Sequence, residues 1–202
     1  MAVATAARGN RVRRWRSGAR RLAIWAGAVL MLGSALLGAS LPVQAQISST
    51  EEYKLKLAFL YNFAKFVEWS PEVFPSPKAP LNICIVGRDP FDSELEQQVG
   101  ERAINGHPCM TRRLRSSDDL SACQIIFVPA ASDSSLPAVL RQAGASGAII
   151  VGETAGFASR GGMVNFVLEG TRLRFEVNLE ASQRNPSRIS SRVLTLAKIV
   201  KD

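Results

Sequence analysis

Along residues 53–69, YKLKLAFLYNFAKFVEW, apolar side chains recur at helical spacing. At 100° per residue, Lys54, Asn62, Lys65 and Glu68 gather on one arc of the helix. Leu55, Leu57, Phe59, Leu60, Phe63, Ala64, Phe66 and Val67 fill the opposite arc, about 200° wide by the same rotation. Lys56 falls inside the apolar arc, near the helix start, where its stem is expected to reach water. Packing on one sheet face needs a stripe of only about 100°. The excess predicts either burial against two elements, a sheet and a C-terminal helix, or an exposed aromatic strip that docks a partner. Phe63, Phe66 and Trp69 are the candidates for that strip.

The pattern then changes period. SPEVFPSPKAP (70–80) holds four prolines and reads as a loop. LNICIV (81–86), CQIIFVP (123–129) and GAIIVG (147–152) are short continuous apolar runs, the signature of strands buried on both faces of a parallel sheet. HPCMTRRL (107–114) alternates like a strand nearer the sheet edge. Short helices are predicted over 89–99 and over 135–144, the latter closed by Gly144. SSDDLSA (116–122) has helix-start chemistry, with Asp118 and Asp119 as caps. The stretch 163–178 reads as two strands turning at Glu169–Gly170. In 188–200, Ile189, Val193, Leu196, Ala197 and Val200 space as a helix face. Ser49 or Thr50 is the expected cap of the first helix. Strands alternating with short helices predict an α/β fold: a three-layer sandwich with a mostly parallel sheet, helices on both faces and an antiparallel strand at one edge.

Charge alters the picture at the N-terminus. Residues 1–21 carry seven arginines and no acid, and residues 22–45 carry no charge. A basic start, an apolar run and a small-residue exit at Val43-Gln44-Ala45 predict a secretory signal cleaved before Gln46, with an uncleaved membrane anchor as the competing reading. Taking those seven arginines from the 25 basic residues leaves 18 against 17 acidic ones, so residues 46–202 are near +1 rather than +8. The high pI then describes a targeting segment and gives no support to nucleic-acid binding. The opening helix is itself a poor membrane span, with four charges between residues 54 and 68.

Candidate chemistry is sparse. His107 is the single histidine and reads as a solvated turn residue. There is no C-x-x-C, no G-x-S-x-G and no metal-ligand spacing, and GFASRGGM (156–163) has Gly162 where a phosphate loop needs lysine. No catalytic, metal or cofactor residue is assigned. Three cysteines, Cys84, Cys109 and Cys123, in an oxidising compartment allow three pairings. Cys84 and Cys123 belong to strands expected to be neighbours, which brings them within bridging range; two buried free thiols are the alternative. Cys109 is left free or bonded between chains.

YKLKLAFLYNFAKFVEW, NICIVGRDPF, CQIIFVP, GFASRGGMVNFVLEGTRLRFEVN and ISSRVLTLAKIV, in that order across residues 52–200, resemble the YfiR family of bacterial periplasmic proteins. The resemblance implies a single α/β domain without catalysis that represses an inner-membrane diguanylate cyclase by binding its periplasmic sensor region. It also implies an outer-membrane OmpA-like lipoprotein that sequesters the repressor. Cys84 and Cys123 match the positions of a family disulfide; a second one, nearer the C-terminus, has no counterpart, because no cysteine follows Cys123. The resemblance further implies partner contacts from the C-terminal block through Glu176, Asn178, Arg184 and Arg188. Alternatively, Glu176 and Asn178 satisfy backbone groups at a strand-to-helix junction. A homodimer is a further expected arrangement. The competing function is a small-molecule sensor whose pocket forms from the loops after residues 86, 128 and 152.

Overall fold

The computed structural model describes residues 47–100, 102–144 and 146–201. The expected signal segment, 1–45, lies outside them. Helix α1 (Ser49–Phe66) begins at Ser48, whose hydroxyl accepts from the Glu51 amide at 3.2 Å. The cap thus falls before the expected Ser49 or Thr50, because only Ser48 keeps an extended backbone. The helix stops at Phe66, and Val67–Glu68 continues as strand β1.

The sheet is built from β2 (Leu81–Val86), β3 (Ala103–Ile104), β4 (His107–Leu114), β5 (Ile125–Val128), β6 (Ile149–Gly152), β7 (Val164–Glu169), β8 (Arg172–Asn178) and β10 (Lys198–Val200). Its order is β10-β8-β7-β6-β5-β2-β4-β3. The central pairs β4–β2, β2–β5, β5–β6 and β6–β7 are parallel. The chain returns by the β7–β8 hairpin, in which Glu169 faces Arg172 across a turn held by Gly170 at φ +62°, a conformation that suits glycine. The second hairpin strand is not the sheet edge, as expected, because β10 lies parallel beside it. The opposite edge is the antiparallel β3.

Alternation along the strands splits the apolar residues between two layers. Leu81, Ile83 and Ile85 of β2, Ile125 and Phe127 of β5, and Phe166, Phe175 and Val177 of the hairpin pack beneath α1 and α2 (Glu94–Val99). Cys84, Val86, Ile126, Val128 and Ile150 face the other way, under α3 (Leu136–Ala143) and the 116–122 segment. The protein is a three-layer α/β sandwich.

Three local readings are corrected. Residues 116–122 form turns and no helix: Asp118 accepts from the Arg115 amide and Asp119 from the Ser121 amide, so these acids close turns. Residues 188–200 are not one helix but β9 (Arg188–Ile189), a single turn α5 (Ser191–Leu194) and β10. Helical spacing in so short a segment offers little against the nucleation cost, whereas the open edges of β1 and β8 supply ladder partners. Lys56 does not reach water; it is buried against Glu153.

The disulfide joins Cys84 and Cys123, with Cα atoms 5.9 Å apart. Cys109 is a free, buried thiol in the layer beneath α1, across the sheet from the bridge. Burial removes the interchain bond from its options and separates it from thiol exchange with the bridge.

Candidate partner-docking cleft

The C-terminal end of α1 opens onto a cleft of about 790 Å³ at the edge where the parallel strands begin. Phe66 and Trp69 form one wall, the proline loop with Phe74 a second, and Ser190–Arg192 a third. Each wall has a local cause. Trp69 donates its indole N–H to the Ala64 carbonyl at 2.9 Å, folding the ring back over the helix end. Phe74 meets Trp69 edge-on at 6.4 Å and stacks on His107 at 3.8 Å. His107 is therefore not a solvated turn residue: it opens β4, and its Nδ1–H donates to the Ala79 carbonyl at 2.7 Å. The short β1–β9 ladder pairs Val67 with Ile189 and Glu68 with Arg188, and the Ser190 amide donates to the Phe66 carbonyl at 3.2 Å. That ladder brings the third wall beside the first.

The cleft joins an aromatic floor to a charged rim, the composition typical of protein-docking surfaces. Phe66 is 39% exposed. Lys65, Glu68 and Arg192 stand around it. The Ser190 hydroxyl, in the wall, is buried without a hydrogen-bond partner among the described residues.

The sequence candidates are not gathered at one place. Phe66 and Trp69 line the cleft, and Arg188 sits on β9 beside it. Phe63 belongs to the core instead, its ring 5.9 Å from Phe166 and 5.3 Å from Phe175, and it has no free face to offer. Glu176 lies on β8, holding Lys198 at 3.0 Å and accepting from Asn165 at 3.2 Å. Asn178 is fully buried and caps helix α4 (Leu179–Arg184): it accepts from the Ala181 amide and donates to the Ala158 carbonyl. Asn178 thus bonds backbone groups at the strand-to-helix junction, whereas the partners of Glu176 are the side chains of Lys198 and Asn165. Arg184 pairs with Glu180 at 3.9 Å and borders a separate hollow of about 250 Å³ with Leu140 and Ala181. Sequence reading missed Phe74, His107 and Arg192. The available signal was an aromatic residue inside a proline-rich loop directly after Trp69.

The opposite edge of the sheet, where the competing sensor reading puts its pocket, is tied together. Glu153, just after β6, accepts from the Tyr53 hydroxyl at 3.1 Å, Lys56 at 2.7 Å and the Ala130 amide at 2.7 Å. Desolvation, with Glu153 adding to it, pushes the Tyr53 phenol up to about 12. Asp133, after β5, grips the Arg160 guanidinium at 2.8 and 2.9 Å. A Cβ at Gly152 would stand 2.3 Å from the Phe157 ring, which fills the space over the end of β6. The loop after β2 borders a polar cleft of about 530 Å³ with Ser49, Thr50 and Tyr53. Among the described residues, no group of three or more His, Cys, Asp or Glu is placed to hold a metal ion, and no helix is long and apolar enough to cross a membrane.

A family model described as YfiR/HmsC-like matches residues 53–198. The chain belongs to the YfiR/HmsC-like family. It is a family of regulators. The match covers every wall of the cleft. Among solved structures, the chain is similar to a conserved domain protein from Vibrio cholerae O1 biovar El Tor, at 13% identity and a TM-score of 0.47, covering 78% of this chain. The chain spans 62% of the length of that structure. No curated protein matches this chain.

Proposed function

We propose that this YfiR/HmsC-like protein is a non-enzymatic periplasmic regulator, exported by a cleaved N-terminal signal. It binds the periplasmic sensor region of an inner-membrane diguanylate cyclase and represses cyclic-di-GMP synthesis. An outer-membrane OmpA-like lipoprotein competes for the repressor and relieves the inhibition. The observation that carries the reading is the aromatic cleft at the end of α1, within the family-matched span, with Phe66 exposed and Trp69 fixed beside it. Repression of this kind needs no reacting group. A domain that binds one conformation of the sensor more tightly shifts that enzyme's equilibrium, and about 1.4 kcal/mol of preference gives tenfold.

The test uses the deletion strain. Loss of the gene is expected to raise cellular cyclic-di-GMP, and wild-type protein to restore it. Phe66→Asp is expected to fold but not restore it, while Arg184→Ala restores it fully. An unchanged cyclic-di-GMP level in the deletion strain refutes the proposed role. Pull-down from solubilised membranes, with mass spectrometry, then identifies the bound cyclase.

A further inference from the structure

Charge is spread unevenly over the described residues. Residues 163–201 hold seven basic residues against three acidic ones, a net +4, whereas residues 47–100 hold five against eight, a net −3. The basic stretch builds one side of the sheet: β7, β8, β10 and the short elements between them. Where the β7–β8 hairpin turns, Arg172 and Arg174 are exposed, and among the described residues no carboxylate engages either. Lys198, by contrast, is held at 3.0 Å by Glu176. Exposed aliphatic side chains share this corner. Leu168, near the end of β7, is 42% exposed, and Leu196, in the turn that enters β10, is 70% exposed. Pairing of Leu168 with Leu173 and of Ile199 with Val177 sets Leu168, Leu173 and Ile199 on one face of the sheet. Alternation along β8 sets Arg172 and Arg174 on the other. The corner is therefore amphipathic.

We propose that this corner docks the protein on the surface of an anionic phospholipid bilayer. Leu168 and Leu196 enter the boundary between headgroups and acyl chains, while Arg172 and Arg174 turn their guanidinium groups up to the lipid phosphates. Two observations favour a bilayer over an acidic protein. The exposed apolar residues here, Leu168, Leu196 and Ile199, are all aliphatic, whereas the anchors of protein interfaces are enriched in tryptophan and tyrosine. The unpaired arginines flank these side chains, an arrangement that suits a surface carrying negative charge over apolar chains. Each such residue brought to an anionic surface strengthens binding about fivefold. Docked this way, the protein keeps its aromatic cleft clear of the lipid, because the hairpin turns at the end of the sheet where the parallel strands finish and the cleft opens where they begin. The inference rests on the proposed export to the periplasm and not on the cyclase.

Flotation of the signal-cleaved protein with phosphatidylethanolamine vesicles containing phosphatidylglycerol, set against neutral phosphatidylcholine vesicles, tests this. Binding is expected to the anionic vesicles alone and to weaken as salt is raised. Arg172→Gln combined with Arg174→Gln is expected to weaken it about 25-fold, and Leu196→Glu to weaken it too. Arg112→Gln, which removes an exposed charge from β4 on the other side of the sheet, leaves it intact. A polarity-sensitive dye attached through Leu168→Cys is expected to shift to the blue on the anionic vesicles, and the same dye attached through Met110→Cys to stay unshifted. Cys109, being buried, does not compete for the label. No preference for anionic vesicles, binding indifferent to the corner variants, an equal loss with Arg112→Gln, or an unshifted dye at position 168 would overturn the proposal. Capture of an acidic protein by this corner without vesicle binding overturns it equally. A deletion strain with unchanged cyclic-di-GMP refutes the repressor role alone, so the two failures are told apart.

Discussion

Lys56 Nζ lies 2.7 Å from Glu153 Oε2, and the two side chains are only 6% and 3% exposed. Glu52, one turn earlier on α1, also contacts the ammonium group. The pair pins α1 to the loop after β6, at the end of the sheet away from the aromatic cleft. Its charges are satisfied, since Glu153 also accepts from Tyr53 and from the Ala130 amide. Removing one partner is a different matter from removing both. Lys56→Ala leaves a buried carboxylate without its cation and is expected to cost about 3–5 kcal/mol, whereas Lys56→Met with Glu153→Leu recovers most of that loss. Urea unfolding of the wild type, the single and the double variants checks both statements.

The Cys84–Cys123 bridge closes a loop of 39 residues between a central strand and the segment leading into its neighbour. Removing it by paired alanine substitution is expected to lower stability by about 4 kcal/mol in the chain-entropy model. The loss should appear as a lower urea midpoint with the same fold by circular dichroism.

Cys109 should be chemically silent. Burial pushes its thiol up to about 11, so little thiolate forms near neutral pH, and the side chain is shielded beneath α1. Alkylation of the native protein by iodoacetamide is expected to be slow and to become rapid in urea. Fast native labelling would contradict the buried placement.

Glu96 is one surface source of acid sensitivity, beside Asp133, held down by its hydrogen bonds from Arg160, and Asp119, held down by the Ser121 amide. Arg113, hydrogen-bonding to Glu96, holds that carboxyl down at about 2 from its ordinary 4.5. A depressed carboxylate contributes stability that is present above about pH 4.5 and drains away as pH falls towards about 2. Glu96 is well exposed, so solvent screening keeps the contribution below about 1 kcal/mol. Glu96→Gln is expected to flatten the fall in urea midpoint across that window and to leave the rest of the pH profile unchanged.

Gly152 tests the packing at the end of β6. Gly152→Ala drives a methyl group into the Phe157 ring, which is fully buried and has no room to swing away. Overpacking of this kind is expected to cost about 1–3 kcal/mol, read as a fall in Tm.

Much of the frame was legible because its signals are local. The continuous apolar runs of β2, β5 and β6 leave no polar face for solvent, so they had to lie inside a covered sheet. The hairpin was visible in Glu169–Gly170, and α1 in its 3.6-residue period. The segment 188–200 misled for an equally physical reason. Its spacing suits a helix, but its short pieces take structure from what lies beside them: β1 for Arg188–Ile189 and β8 for Lys198–Val200. Asp118 and Asp119 likewise carry cap chemistry that serves turns as well as helices.

The site was legible only in part. The width of the apolar arc on α1 announced more apolar surface than one sheet face can cover, and Phe66 and Leu55 are indeed exposed while Phe63 is not. Periodicity cannot separate those residues, because each lies on the same arc. What divides them is which neighbour arrives: Phe166 and Phe175 over Phe63, and the open end of the helix at Phe66. The same holds for Lys56, whose partner is 97 residues away in the chain.

By itself the sequence determined helix α1, the buried strands β2, β5 and β6 and the β7–β8 hairpin, since periodicity acts over a few residues at a time, and its longer motifs carried the resemblance to the family. Only the tertiary structure decided which aromatic residues meet solvent, which charges find partners and where the sheet is left open. Those outcomes depend on contacts between distant segments, and no local pattern encodes them.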